Sequence, residues 1–258
     1  MRRLASRSWR PLLVLVVLIG IWELYVDLGA ADSLILPPPH QIASSLYDDR
    51  SLLWSSFLVT AREVLLGIIV AAVAGFTFAV TLHFSSRTLR PAVYPLLIAS
   101  QTVPIPIIAP LLVLWLGFGI LPKLVVIALV SFFSIVVTTL AGLAAVDPEL
   151  PKLMRTFDAT RMRVFRLVEL PAALPGVFTG AKISVVVAVI GAVFAQQAGA
   201  NSGLGYLFQQ SVPQLLTARA YAAVVILSAF AILLFALLAL AERLVLPWAY
   251  QPRGGLPA

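Results

Sequence analysis

The chain has no cysteine and only two histidines, His40 and His83, among its 258 residues. Disulfides, thiolate nucleophiles and cysteine-ligated metals are therefore excluded. A metal centre needs clustered His, Asp or Glu at ligand spacing, whereas the two histidines read as loop residues on opposite sides of a membrane. No serine stands beside a base that could activate it. Charge is scarce too: 11% of residues are charged and 61% hydrophobic, against about 25% charged in soluble domains. That balance argues against a water-soluble globule. Also missing is any Gly-x-x-x-x-Gly-Lys-Ser/Thr loop to cradle phosphates, so nucleotide-driven work would have to come from another polypeptide.

What the chain does have is long apolar stretches. At roughly 20 residues per span, its length accommodates about six membrane helices with short connections. Six runs fit: Pro11 to Ala31, Leu58 to Leu82, Val93 to Leu116, Leu121 to Leu143, Val177 to Ala195 and Ala220 to Val245. The first follows Arg2, Arg3, Arg7 and Arg10 like the start of a signal peptide. It continues through Trp22 to Leu28 and carries Glu23 and Asp27, which marks a retained helix. The expected fold is all-α and polytopic, with six transmembrane helices.

The basic residues report orientation. One side of this arrangement collects Arg2, Arg3, Arg7, Arg10, Arg87, Arg90, Lys152, Arg155, Arg161, Arg163, Arg166, Lys182, Arg243 and Arg253, and the other only Arg50, Arg62, Lys123 and Arg219. By the positive-inside bias both termini are cytoplasmic. The formal charge of +7 is then a topology signal, and nucleic acid is not an expected partner.

Three segments interrupt the apolar pattern. On the outer side, Pro37-Pro38-Pro39 should be stiff and extended, followed by a short amphipathic helix presenting Ile42, Ala43, Leu46 and Tyr47. Inside the third span, Pro104, Pro106 and Pro110 follow Gln101-Thr102, so the helix should bend or break. Broken backbone at membrane depth survives only inside protein or along a wet cavity. Gln101, Thr102 and Pro104 are thus either pathway-lining or part of a kinked packing helix. Ser131, Ser134 and Gln196 carry the same two readings, a solute pathway or helix-to-helix hydrogen bonds.

The third interruption is cytoplasmic and runs over 144–176. Asp147 followed by Pro148 suits a helix start. Asp158 is positioned to cap a second helix through Arg161, Arg163 and Arg166, with Met162, Phe165 and Val168 on its apolar face. Two short helices with a polar junction would make a knob that a cytoplasmic partner can grip; the alternative is a basic loop that only fixes topology.

This segment resembles the permease subunits of bacterial ATP-binding-cassette importers of the nitrate, sulfonate and taurine type. Their signature is Glu-Ala-Ala, three residues, Gly, nine residues, then Ile-x-Leu-Pro. The spacing matches, with Lys152-Leu153-Met154 first, Asp158 at the glycine and Val168-Glu169-Leu170-Pro171 last. Trp22-Glu23, Leu36 to Pro39, Thr60, Arg62, Gly67, Pro104 to Pro110, Gly117-Phe118-Gly119, Pro122-Lys123 and Gly203-Leu204-Gly205 extend the resemblance over nearly the whole chain. Gln101 to Pro106, Thr156 to Thr160, Gly191 to Ala195 and Phe208 to Leu215 are similar to permeases for the hydroxymethylpyrimidine precursor of thiamine. Related permeases serve riboflavin. The family often carries an acid where this chain has Gln196.

The resemblance implies a single permease domain over 1–258: a first helix and outer proline-rich segment (1–56), a five-helix core (57–246) with the coupling loop 144–176, and a cytoplasmic tail (247–258). It implies a bacterial inner-membrane importer in which two permease copies, surrounded by lipid, pair around one pathway for a small polar organic solute. ATPase subunits would dock against Lys152, Arg155, Thr156, Phe157, Asp158, Ala159 and Arg161, and an extracytoplasmic binding protein would deliver the solute. ATP and Mg would reside on the ATPase, leaving this chain without cofactor or catalytic residue. A secondary transporter or channel is the rival class, though the charges sit near span ends rather than at ion-coupling depth; a membrane-embedded enzyme is the second rival.

Overall fold

The computed structural model describes residues 2–85 and 89–250, with side chains from Leu13 onward except that of Arg90. The predicted tail thus lies outside the described residues from 251 on, and the basic side chains Arg2, Arg3, Arg7, Arg10, Arg87, Arg90 and Arg253 lie outside them as well. Among the described residues the regular secondary structure is all helical, with no strand. The helices are α1 (Arg2–Asp27), α2 (Pro39–Asp48), α3 (Arg50–Phe84), α4 (Leu89–Ser100), α5 (Ile105–Leu116), α6 (Ile120–Ala144), α7 (Glu149–Thr156), α8 (Arg161–Val164), α9 (Leu170–Gly199), α10 (Leu204–Ser211) and α11 (Thr217–Val245). A π-helical turn, Phe165–Glu169, joins α8 to α9, and a 3-10 turn, Pro247–Tyr250, follows α11.

Among the described residues, four helical stretches are long and apolar enough to cross a membrane: α3, α6, the continuous run Arg161–Gly199, and α11. A fifth crossing is available if the broken pair Pro91–Ser100 and Ile105–Leu116 acts as one; its halves meet at 90°. The prolines explain the break. Pro104, with φ −66° and ψ 127°, is extended and starts α5 afresh, as a residue lacking an N–H can do at a helix entrance. The run predicted at Pro11 to Ala31 falls on α1. Helix α3 has 35 residues, about 52 Å at 1.5 Å per residue, well beyond a hydrocarbon core of about 30 Å.

Contacts gather the chain into two compact units. One takes in the residues up to Thr60 together with Asn201–Ser228. In it Trp22 stacks obliquely on Tyr221, ring centres 6.0 Å apart. The His40 backbone donates to Glu23 at 3.2 Å, and the His40 ring meets the other Glu23 oxygen. Helix α2 forms as expected after the prolines, but its buried residues are Ile42 and Ser45, while Tyr47 is exposed beneath the Arg50 guanidinium. Arg219 grips Asp49 with two hydrogen bonds, 2.9 and 2.7 Å, and Ser45 adds a third at 2.9 Å. The Leu204 N–H, at the start of α10, donates to buried Thr60 Oγ1 at 2.9 Å.

The other unit comprises Ala61–Ala200 and the chain from Ala229. Its core is the long crossing of α6 and α9, made close by small residues, as is usual where helices associate without a hydrophobic driving force. A Cβ on Gly176 would stand 2.7 Å from the Thr138 carbonyl oxygen, and one on Gly180 2.1 Å from Thr138 Oγ1. Gly67 lets α3 approach in the same way, for a Cβ there would meet Ile127 at 2.4 Å. Between α9 and α11, Lys182 Nζ donates to Glu242 at 2.8 Å, and the Tyr250 hydroxyl, past the end of α11, donates to the same oxygen at 2.7 Å.

Both histidines depart from the loop positions expected of them. His40 lies in the first turn of α2 and His83 in the last turn of α3. The second helix of the predicted knob and the predicted fifth span also turn out to be one helical run from Arg161 to Gly199. Pro171 cannot donate and would crowd the carbonyl four residues earlier. The π turn accommodates it just ahead, where the Leu170 N–H bonds to the Phe165 carbonyl, five residues back.

Candidate functional site

The segment between α6 and α9 builds the knob. Asp147 Oδ1 accepts from the Glu149 N–H at 2.9 Å and starts α7. Helix α7 then ends in a paired closure: Asp158 N–H to the Arg155 carbonyl at 3.0 Å, and Ala159 N–H to the Met154 carbonyl at 3.2 Å. This closure needs a left-handed residue just past the helix, a position usually held by glycine. Asp158 fills it with φ 55°, and Asp is among the few other residues that visit this region readily. The expected cap role for Asp158 is corrected accordingly. Thr160 starts α8 instead, its Oγ1 accepting from the Arg163 N–H at 3.4 Å.

Of the seven predicted coupling residues, Lys152, Arg155, Thr156, Phe157, Asp158 and Arg161 are exposed and Ala159 is half-buried. Phe157 is 75% exposed, and Leu150, Leu153 and Met162 are open beside it. Apolar side chains at the tip of a charged knob are a feature of contact surfaces. The Lys152–Glu149 bridge across α7, 2.7 Å, is fully surface-borne and adds little stability.

The knob is tied down at its base. Arg161 donates to the His83 carbonyl at 3.2 Å, and its guanidinium lies 4.8 Å from the centre of the Phe84 ring. His83 Nε2 and Glu169 Oε2 are 2.8 Å apart, both mostly buried. Phe165 packs edge-on against Phe84 at 5.0 Å. The end of α3 is thereby stapled to the start of the α8–α9 run.

The six candidate pathway residues are not brought together. Gln101 lines a cleft of about 110 Å³ with Ser100, Val103, Ile108, Val130 and Val187. Thr102, exposed at the α4–α5 break, turns its hydroxyl onto the Ala99 carbonyl at 2.7 Å. Pro104 is exposed at the head of α5. Ser131 is fully buried, its hydroxyl 3.4 Å from the Ser184 carbonyl. Ser134 is half-buried, and its carbonyl accepts from Thr138 at 2.7 Å.

Gln196 sits elsewhere, in a polar knot that composition alone did not reveal. Its Nε2 donates to Glu63 Oε2 at 2.6 Å, while Lys123 Nζ donates to Glu63 Oε1 at 2.7 Å. Gln196, Glu63 and Lys123 are 0%, 3% and 7% exposed. One carboxylate thus joins α3, α6 and α9. The sequence signal was present in the opposite charges of Glu63 and Lys123, each within about a turn and a half of the start of an apolar run. For metals, one group among the described residues, Glu23, Asp27 and His40, brings its ligand atoms within 4.8 Å of one another, at a half-exposed to exposed position.

Apolar helices of membrane length, a broken span and an exposed knob are the features of a polytopic membrane protein. Residues 63–247 match the model of the binding-protein-dependent transport system inner membrane component, and the chain belongs to that family. It is 36% identical over 243 residues to the formylaminopyrimidine transport permease protein ThiX of Halalkalibacterium halodurans, covering 94% of this chain and 96% of that one. It is 35% identical over 229 residues to a probable ABC transporter permease protein of Haemophilus influenzae, covering 89% and 93%. Among solved structures, the inward-facing methionine transporter MetNI superposes with a TM-score of 0.65 at 21% identity, over 79% of this chain and 99% of that one. The fold is therefore that of an ABC transporter permease.

Proposed function

We propose that the chain is the membrane-spanning permease of an ATP-driven bacterial importer for a small polar organic solute of the thiamine-pyrimidine-precursor kind. The observation that carries this reading is the formylaminopyrimidine permease, which matches along nearly its full length. The chain works with separate ATPase subunits that hold ATP and Mg, with an extracytoplasmic binding protein, and with a second copy of itself. It sits in the inner membrane as six spans, α1 included, with both termini cytoplasmic. The Asp49–Arg219 bridge supports this topology, because it joins two segments that the charge count puts on the same outer side. Exposed Ile232, Leu233, Leu237, Leu240 and Leu244 on α11 face lipid or the second copy.

The knob is the docking element, with Lys152, Arg155, Thr156, Phe157, Asp158, Ala159 and Arg161 at or beside the ATPase contact. ATP-driven closure of the ATPases moves it and reorients the spans to which it is continuous. Gln101, Thr102, Pro104, Ser131, Ser134 and Gln196 line or buttress the solute route. Gln101 faces a cleft, whereas Ser131 and Gln196 act through the helix contacts they make.

The test is reconstitution. The permease is purified from cells expressing its neighbouring ATPase and binding-protein genes, and the complex is placed in vesicles. Uptake of 4-amino-5-hydroxymethyl-2-methylpyrimidine, riboflavin, taurine and methanesulfonate is then followed with and without ATP. The expected result is a copurifying ATPase and ATP-dependent uptake of the pyrimidine. Taurine or methanesulfonate uptake instead would move the chain to the sulfonate branch, represented by the aliphatic sulfonate permease SsuC of Bacillus subtilis at 30% identity. Transport by the permease alone, without ATPase, would overturn the reading.

A further inference from the structure

The first unit contains a cleft that no transport role has yet absorbed. It offers about 310 Å³ between the first turns of α3 and the 201–219 segment, at the low end of the range for small-molecule sites. Its polar lining is unusual for a membrane protein: Ser56, Asn201, Ser211 and Gln214 converge there, with Gln210 bonded to the Tyr206 hydroxyl along the wall. Ser56 and Ser211 are 7% and 2% exposed. Helix serines commonly turn their hydroxyls back onto the preceding turn, as exposed Ser55 does here onto Leu52 at 2.9 Å. No such bond is formed by Ser56 or Ser211 among the described residues, and the carboxamides of Asn201 and Gln214 are likewise open. Such groups can bond an entering ligand in place of water.

The charge of the cleft is settled before any solute arrives. Arg219 is the charged residue of its lining, and its Nε and Nη2 are taken by Asp49, at 2.9 and 2.7 Å. An entering anion would meet a guanidinium already neutralised and would sit beside the Asp49 carboxylate. A cation would find Asp49 already spent. An uncharged solute meets neither cost. A carboxamide presents a donor and an acceptor side by side, which is the complement of a ring nitrogen next to an exocyclic amine, the pairing that Asn and Gln make with adenine. The half-buried Tyr206 ring offers a flat neighbour for such a ring.

We propose that this cleft is a solute subsite that takes small uncharged molecules carrying adjacent hydrogen-bond donors and acceptors, such as amino-substituted nitrogen heterocycles, and that the Asp49–Arg219 pair excludes anions from it. The proposal rests on the importer reading and narrows its substrate class.

The absence of cysteine from the chain allows a test that needs no known substrate. Ser211→Cys in the purified complex is treated with methyl methanethiosulfonate, which is neutral, and with its anionic 2-sulfonatoethyl analogue. Exposed Ala43→Cys, outside the cleft, supplies the reference ratio. The neutral reagent is expected to be favoured at Ser211→Cys about tenfold more than at Ala43→Cys. Adding Asp49→Asn, which frees Arg219, should remove most of that preference. Gln214→Cys, at the exposed rim, gives the same reading if the Ser211 variant folds poorly. Equal ratios at the two positions, or a cleft thiol unreactive to both reagents, would overturn the subsite. In the vesicle assay, Gln214→Ala should raise the half-saturating pyrimidine concentration several-fold while the ATPase still copurifies. Preferential uptake of methanesulfonate by the wild type would overturn the anion exclusion. Failure of the importer reading shows separately, as a wild-type permease from which no ATPase copurifies.

Discussion

Removing the Lys123 ammonium should cost more than any surface change in the molecule, because it strands the Glu63 carboxylate. At 2.7 Å from Nζ to Oε1, the pair attraction is about 6 kcal/mol with an effective dielectric near 20. Burial of both groups, at 4% and 9% side-chain exposure, offsets most of that attraction, so the intact pair adds little net stability. Its rupture is another matter. Lys123→Met leaves a carboxylate held by Gln196 alone, and broken buried pairs cost about 3–5 kcal/mol. The double variant Glu63→Gln with Lys123→Met removes both charges and should recover most of the loss. Gln196→Leu, which strands only one oxygen, should cost about 1–3 kcal/mol. The assay is the thermal midpoint of detergent-purified permease, followed by fluorescence-detected size exclusion. Lys123→Met should fall by on the order of 10 °C, and the double variant by far less. A Lys123→Met midpoint equal to wild type, or a double variant as poor as the sum of the singles, would refute the clamp.

Three further outcomes follow from particular contacts. Gly176→Leu should separate α6 from α9, because the Thr138 carbonyl already stands 2.7 Å from the site of a Cβ. Backbone cannot yield as a side chain can, so a loss of at least about 1–3 kcal/mol is expected, read as aggregation on size exclusion. Asp158→Gly should keep or improve the thermal midpoint by a few tenths to about 1 kcal/mol, since glycine takes φ 55° without a Cβ penalty; Asp158→Val should reduce ATPase copurification, and equal recovery from both would remove the turn from the docking argument. Arg219 beside Asp49 holds that carboxyl below its ordinary value, so the bridge's contribution is complete above about pH 4 and fades only as pH falls through the lowered value. Wild type and Asp49→Asn should accordingly differ in midpoint by the same amount at pH 7 and pH 5; a difference that vanished by pH 5 would contradict the pairing.

The apolar runs located four spans to within a turn or two: Leu58 to Leu82 lies inside α3, Leu121 to Leu143 inside α6, Val177 to Ala195 inside α9, and Ala220 to Val245 inside α11. Periodic burial was not needed for that, only length and the absence of charge. Proline chemistry also announced the break after Ser100, because a missing donor acts locally. The polar contacts were harder to read. Glu63, Lys123 and Gln196 are far apart in the chain and on three helices, and hydropathy does not say which faces meet. His83 looked like a loop residue because polar Ser85, Ser86 and Arg87 follow it, yet α3 carries its helix through Phe84. Asp158 was read as a cap because Asp is common at helix starts; its backbone conformation, which a family glycine at the same spacing hinted at, decides otherwise.

Two polar clamps tie α3 to the α8–α9 run, and under the proposed coupling their separation bears on how a push at the knob would be transmitted. Glu63 and His83 are 20 residues apart along one helix, about 30 Å, which is the thickness of the hydrocarbon core. At one end Glu63 holds Gln196 at 2.6 Å; at the other His83 meets Glu169 at 2.8 Å and accepts Arg161 on its carbonyl at 3.2 Å. Since α8 runs without interruption into α9, displacement of the knob loads α9 directly and α3 through the His83 staple. Glu169→Ala opens the staple while leaving every exposed side chain of the knob in place. The expected phenotype in vesicles is ATP hydrolysis retained with pyrimidine uptake reduced several-fold, and with recovery in Glu169→Gln, whose carboxamide can still bond the imidazole. A purely structural role would lower both activities together and show a fallen thermal midpoint. Full uptake in Glu169→Ala would mean that α9 alone carries the stroke.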